Sequence, residues 1–392
     1  MADIRDYLKW RGDLDFAASP FNEVDGAILS YLAYLDMDEC FREQGSGRIT
    51  VPFSDAVRQY FKTHEKEEID KLIPPFNMVP YVAEEAAKTV RFGSLTVTDY
   101  VNIIDTKVVE QMAAMVFWPD QHTAFASFRG TDNTITGWKE DFGLSYLRST
   151  PGQKHAAEFM DRVIGPLAGS SAAGDLTVYA GGHSKGGNLA IYGTAFAEPA
   201  VRDTVKTVYA NDAPGFRQEI VEEPGYRQIL PKVISILPES SIIGGLLSSD
   251  CENIIIKSTE TGLMQHDPLS WELLGTAFLR TVRSDLGRFF DDSTRSWISG
   301  LGDRELEYFT EALFEVLGAG GTTTVNELVK DPLKSINQIV RASWTLDPKI
   351  KDEFHQVLMR LVKCGIEALK EQGEEKYLAF AELIRPKQDL LQ

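Results

Sequence analysis

Residues 175–196 read Asp-Leu-Thr-Val-Tyr-Ala-Gly-Gly-His-Ser-Lys-Gly-Gly-Asn-Leu-Ala-Ile-Tyr-Gly-Thr-Ala-Phe. A short β-branched run leads into a serine set among glycines, and an apolar run without β-branched clusters follows. Gly182, Ser184 and Gly186 fit G-x-S-x-G, the sharp strand-to-helix turn that lifts a serine hydroxyl to the top of a sheet. Small residues on both sides let strand and helix approach closely, and the helix start directs its unpaired N–H groups at charge developing beside the serine. The alternative is a plain glycine-rich βα turn. The strand before and the helix after are the context that the elbow requires.

The pattern along the chain suits such a turn. Residues 1–90 read as a helical extension, with Asn22 or Asp25 opening a helix over Ala27–Leu35 and a second helical stretch at 54–72 that ends at Pro74-Pro75. Strand-like runs follow at 95–104, 111–117, 123–129, 175–180, 206–211, 232–237 and 253–257, with helices at 152–164 and 186–198 between the later ones. Hairpins followed by βαβ units predict an α/β chain with a mixed, mainly parallel sheet and helices on both faces, over residues 91–275. From 269 to 385 the pattern is helical, broken at Gly300-Leu-Gly302, Gly318-Ala-Gly-Gly321, Pro332 and Asp347-Pro348, so 276–392 reads as a C-terminal helical region. Trp271, Trp297 and Trp344 read as packing residues.

Composition excludes some functions. A net charge of −18 disfavours nucleic acid and anionic membranes as partners. Cys40, Cys251 and Cys364 are widely spaced and odd in number, which predicts reduced thiols rather than a disulfide framework or a metal site. A charged start and the lack of an 18-residue apolar run predict a cytoplasmic chain with no transmembrane segment. No metal or organic cofactor is called for.

A serine hydroxyl needs a base within reach, oriented by an acid, and elbow enzymes supply them in the order Ser, acid, His. His155 and His183 precede Ser184, which leaves His266, just after the last predicted strand, and His355, in a downstream helix. His266 is the candidate base. His183 and His355 read as structural. The acid is expected after the strand at 232–237, and the choice falls on Glu239, with Asp250 and Asp212 as alternatives. Candidate oxyanion donors are the amide of Lys185 and an amide from the strand-ending turn Ala124–Asp132, where Thr131 offers both N–H and hydroxyl.

These residues carry a family resemblance. Phe-Arg-Gly-Thr at 128–131, Gly-Trp-Lys-Glu-Asp-Phe at 137–142, Gly-His-Ser-Lys-Gly-Gly at 182–187 and His266 resemble the fungal-type (class 3) lipase pattern. Gly-His-Ser-Lys-Gly-Gly-Asn and Gln-His-Asp-Pro are similar to a bacterial group of lipase-like hydrolases. The resemblance covers about residues 20–275. It implies an α/β-hydrolase fold, Ser184 as nucleophile, Thr131 as oxyanion residue, His266 as base, and Asp141 as anchor of the oxyanion loop. It also places Glu239 or Ser241 at the family's Asp position. Lys185 stands where those lipases carry an apolar residue, which raises either a substrate-carboxylate contact or a paired lysine. The segment after Thr131 is short for a lid, and Ile242–Leu247 reads as a pocket cover or a buried connection.

The expected function is thus carboxylic ester hydrolysis, of a lipid or acyl ester, through an acyl-enzyme on Ser184. Two other readings remain: a catalytically weak hydrolase-fold protein that binds a ligand or partner, and a peptidase or amidase using the same parts.

Overall fold

The computed structural model describes residues 2–42, 48–72, 76–132, 134–168 and 176–319, together with 352, 354, 356 and 357. Pro332, Trp344, Asp347-Pro348, His355 and Cys364 lie outside them. Helices α1 (Ile4–Arg11), α2 (Glu23–Leu32) and α3 (Asp38–Phe41) lead into strand β1 (Thr50–Pro52), then α4 (Phe53–Thr63), α5 (Lys66–Ile69), α6 (Val79–Ala87) and α7 (Val90–Gly93). Strands β2 (Thr96–Asp105), β3 (Glu110–Asp120) and β4 (Thr123–Arg129) follow, then α8 (Ile135–Gly143) and α9 (Pro151–Ile164). Next come β5 (Thr177–His183), α10 (Lys185–Phe196), α11 (Pro199–Thr204), β6 (Val205–Asn211), α12 (Gln218–Val221), α13 (Pro224–Ile229), β7 (Val233–Pro238) and β8 (Asn253–Ile256). A small pair, β9 (Leu273–Leu274) and β10 (Ala277–Phe278), precedes α14 (Asp285–Ser299) and α15 (Asp303–Ala319).

The eight strands β1 to β8 lie in sequence order, antiparallel from β1 to β4 and parallel from β4 to β8. The alternation along each strand divides the interior into two layers. Met115, Phe117, Phe125, Tyr179 and Tyr209 face a core shared with the N-terminal helices. Ala114, Val116, Ala124, Ala126, Phe128, Val178, Ala180 and Val208 face the core shared with α9 and α10. Residues 1–90 therefore contribute one whole helical layer of the fold, with Phe21 stacked on Tyr179 at 4.6 Å. Asn22 and Asp25 cap α2 reciprocally, and the same Asp25 carboxylate meets the Arg91 guanidinium at 2.5 Å with both side chains fully buried. A mixed sheet covered on both faces, with a serine turn at its centre, is the α/β-hydrolase fold.

Past residue 268 the structure differs from the sequence reading. Leu273 to Phe278 form a tight hairpin whose turn is Gly275-Thr276, with Gly275 at φ +68°. This hairpin crosses the expected boundary at 275, and Leu273 also bridges Ala2 at the start of the chain. The helices α14 and α15 are separated at residues 300–302 as expected, but α15 runs on through Gly318. Phe309, Ala312, Phe354 and Val357 form a small separate cluster, against which Phe142 of α8 and Trp297 of α14 pack.

Candidate active site

Ser184 joins β5 to α10 at φ +58°, ψ −134°, a backbone conformation that residues with a side chain rarely adopt. Sterics around the glycines make the turn possible. A Cβ on Gly186 would lie 2.1 Å from the Phe128 carbonyl oxygen, and one on Gly182 would lie 2.2 Å from the Gly186 carbonyl carbon. The Ser184 amide is held by the carbonyl of Asn211, at 2.9 Å, where β6 ends beside β5.

That hydrogen bond brings the next residue of β6 alongside the elbow. Asp212, also at positive φ (+48°), is fully buried and donates its amide to the Ile236 carbonyl at 2.8 Å. One carboxylate oxygen accepts from the Ser241 hydroxyl. The other lies 2.6 Å from Nδ1 of His266, in the short turn Gly262–His266 after β8. With the Nδ1 proton engaged by Asp212, Nε2 is the ring nitrogen left free to take a proton. His266 keeps about a quarter of its side chain exposed, at 25%, whereas Asp212 has none.

The loop that carries His266 is held from behind. His183 is buried with its ring centroid 4.4 Å from that of His266, and burial, followed by His266 itself, keeps its ring pKa well below the usual histidine range. The neutral ring donates from Nε2 to the His266 carbonyl at 2.8 Å, and its Nδ1 accepts the Tyr34 hydroxyl at 3.1 Å. Trp271 donates to the Gln265 carbonyl at 2.8 Å, and the Gln265 side chain accepts the Ser240 amide at 2.7 Å.

On the other side of Ser184 lies the turn after β4. A Cβ on Gly130 would come within 3.1 Å of the Ser184 Cβ, so this turn rests on the elbow. Thr131 donates its hydroxyl to Asp141 of α8 at 2.5 Å. Lys185, the first residue of α10, is 1% exposed; its Nζ donates to the Gln111 carbonyl at 2.8 Å and to Glu140 at 3.1 Å, and lies 3.7 Å from Asp141. Burial, opposed chiefly by this ammonium, pushes the Asp141 carboxyl up to about 6.

A family model described as Mbeg1-like matches residues 86–315, which include Ser184, Asp212 and His266. The chain belongs to the Mbeg1-like family. Among solved structures this Mbeg1-like chain is similar to the M37 lipase at 13% identity, over 57% of this chain and 69% of that one, with a TM-score of 0.35. It is similar to the Lip2 lipase of Yarrowia lipolytica at 13% identity, over 66% and 84%, with a TM-score of 0.34. For the Rhizomucor miehei lipase propeptide complex the values are 15% identity, 58% and 67%, and a TM-score of 0.32. No functionally curated protein matches the sequence.

The Mbeg1-like chain places Ser184 and Lys185 at the elbow, Thr131 in the turn that rests on it and His266 against the neighbouring His183, but the carboxylate on His266 is that of Asp212 and not Glu239. The reason is strand order: β6 adjoins β5, so its end lies beside the elbow, whereas β7 is one strand further away. Glu239 is held in the turn after β7 by its backbone, with its amide on Ile256 at 3.0 Å and its carbonyl on Ser284 at 2.8 Å. Asp250 is exposed just ahead of β8. From the β7 end Ser241 reaches the site through Asp212, and Ser240 through Gln265. The Lys185 ammonium is buried beneath the turn after β4 and paired, which leaves it out of reach of a substrate carboxylate. His155, on α9, pairs with Glu110 of β3, outside the site. Ile242–Leu247 forms a pinned connection: Leu246 accepts the Gly215 amide at 2.8 Å, and Gly245 lies against Asp291 of α14. Tyr34 escaped the sequence reading because Tyr31 and Tyr34 look like an ordinary i, i+3 packing pair. Among the described residues no cluster of ligating side chains suits a metal ion, and no helix is long and apolar enough to cross a membrane.

Proposed function

We propose that this protein is a serine hydrolase that cleaves carboxylic esters, of lipid or small acyl type, through an acyl-enzyme on Ser184. His266 takes the Ser184 proton as the hydroxyl attacks the ester carbonyl, then returns it to the departing alcohol. Water repeats the sequence on the acyl-enzyme, releasing the acid. Asp212 holds the imidazole in the tautomer with Nε2 free and balances the imidazolium as it forms. The amides of Thr131 and Lys185 receive the oxyanion, where fixed donors cost no reorganisation. The observation that carries this reading is the 2.6 Å contact between Asp212 and His266 Nδ1, adjoining a serine in the strained elbow conformation. The proposed steps use this chain's side chains, two backbone amides and water.

The test is reaction with a fluorophosphonate probe and hydrolysis of p-nitrophenyl esters. The parent protein should label at one serine and turn over short esters. Ser184→Ala should abolish both while keeping the melting curve, a loss on the order of 10⁶-fold if the full catalytic advantage resides there. A folded parent that neither labels nor hydrolyses any ester would favour the ligand-binding alternative.

A further inference from the structure

Lys185 does nothing in the steps above beyond offering its backbone amide, yet its side chain is one of the most completely buried charges in the molecule. Burying an ammonium costs several kcal/mol unless it is well paired, and an apolar residue of similar size is often neutral or stabilising in such a place. The pairing found here is specific. Nζ reaches Glu140 at 3.1 Å and lies 3.7 Å from Asp141 Oδ1, an oxygen that accepts no hydrogen bond. The other oxygen of Asp141 accepts the Thr131 hydroxyl at 2.5 Å. Glu140 in turn accepts the Gln111 amide and the Gly152 amide, each at 2.8 Å, which ties α8 to β3 and to the start of α9.

We propose that Lys185 is a positioning residue that couples the two walls of the oxyanion site: its amide forms one wall, and its side chain acts through Asp141 to hold Thr131 on the other. This inference rests on the hydrolase reading above. The ammonium keeps Asp141 as a carboxylate, so the Thr131 hydroxyl is drawn into a charge-assisted bond that fixes Thr131 in the turn resting on Ser184. Without it, Asp141 takes up a proton, becomes a donor as well as an acceptor, and no longer fixes the direction of the Thr131 hydroxyl. The ionisable groups that face Asp141 are Lys185 on α10, Glu140 beside it on α8, Asp132 on the oxyanion turn and Tyr34 after α2. Lys185 supplies the positive charge that opposes its protonation most strongly.

The experiment compares the parent chain with Lys185→Met, the double variant Glu140→Gln/Lys185→Met, and Asp141→Asn, using kcat and KM on p-nitrophenyl butyrate from pH 5 to 9 and thermal melting. The double variant removes a matched charge pair, and so carries the test if Lys185→Met alone fails to fold. We expect Lys185→Met to lower kcat by roughly 10- to 100-fold with KM within about threefold, the loss associated with disturbing one oxyanion donor. Its acid limb should move to higher pH by about one unit, because Asp141 then protonates earlier. The double variant should regain the melting temperature and, because the Glu140 charge that favours Asp141 protonation is gone as well, part of the acid limb, but not kcat. Asp141→Asn should show the kcat loss with no such displaced limb. If the double variant regains kcat, or if Asp141→Asn matches the parent, Lys185 is only the counter-charge of Glu140 and the inference is overturned. A parent that labels and turns over beside an unaffected Lys185→Met overturns the inference alone. A parent that neither labels nor turns over removes the hydrolase reading and the inference with it.

Discussion

Two polar networks flank Ser184, and they are built to opposite specifications. On one side Asp212 and His266 come from the ends of β6 and β8, with Ser241 and His183 bracing them, and His266 keeps a window to solvent. On the other side Lys185 and Glu140 are sealed at 1% exposure each, between β3, α8 and α10. A group that must give and take protons needs access to substrate and water. A group that only holds a loop in place gains strength from exclusion, because a low local dielectric strengthens its pairing. The comparison teaches that burial alone does not identify the reacting residues: in the proposed mechanism a sealed ion pair serves geometry, and an imidazole that stays a quarter exposed serves chemistry.

The comparison is tested most severely at its acid. Asp212→Asn should leave the fold intact and cut turnover by roughly 10²- to 10⁴-fold, since an amide permits the wrong imidazole tautomer and cannot balance imidazolium. Glu239→Gln and Asp250→Asn should stay near parental rates in the same assay. An inactive Glu239→Gln beside an active Asp212→Asn would reverse the assignment. A smaller effect is expected one bond further out. Ser241→Ala removes one donor to Asp212 and should lower kcat by about tenfold, a buried hydrogen bond to a charged group contributing roughly 1.5–3 kcal/mol. The smallest effect is expected at Tyr34→Phe, which keeps the ring and deletes only the hydroxyl on His183. Loss of one neutral hydrogen bond, of about 1 kcal/mol, should show as a lower melting temperature and a change in kcat of about fivefold or less. A Tyr34→Phe loss as large as that of Asp212→Asn would mean that His183 takes part directly, and the division between bracing and reacting residues would fail.

Strand positions were readable because strand side chains alternate and because the core divides along that alternation. The runs at 111–117, 123–129 and 206–211 fall within or closely match β3, β4 and β6. The hairpin at 273–278 escaped notice since two-residue strands carry almost no periodicity, although Gly275-Thr276 between apolar residues is a turn signal. The elbow was readable for a different reason: its glycines are demanded by contacts within the motif, between Gly182 and Gly186 and against the end of β4. His266 was reachable through its place after the last strand.

The acid was not readable in this way. Asp212 and Glu239 each follow a parallel strand and each precede a turn, and nothing local distinguishes them. What separates them is lateral order: β6 lies beside β5 in the sheet, and Ile236 and Asn211 hold Asp212 and Ser184 side by side through backbone hydrogen bonds. The same holds for Lys185, whose charge invites a ligand when read along the chain and finds Glu140, 45 positions away, when the chain is folded. The sequence by itself determined the turn and pointed to the candidate nucleophile and candidate base, because those depend on near neighbours and chain order. Only the tertiary structure decided which carboxylate meets the imidazole and where the lysine points, because both depend on which elements pack together, and pairing between distant segments leaves no periodic mark on either one.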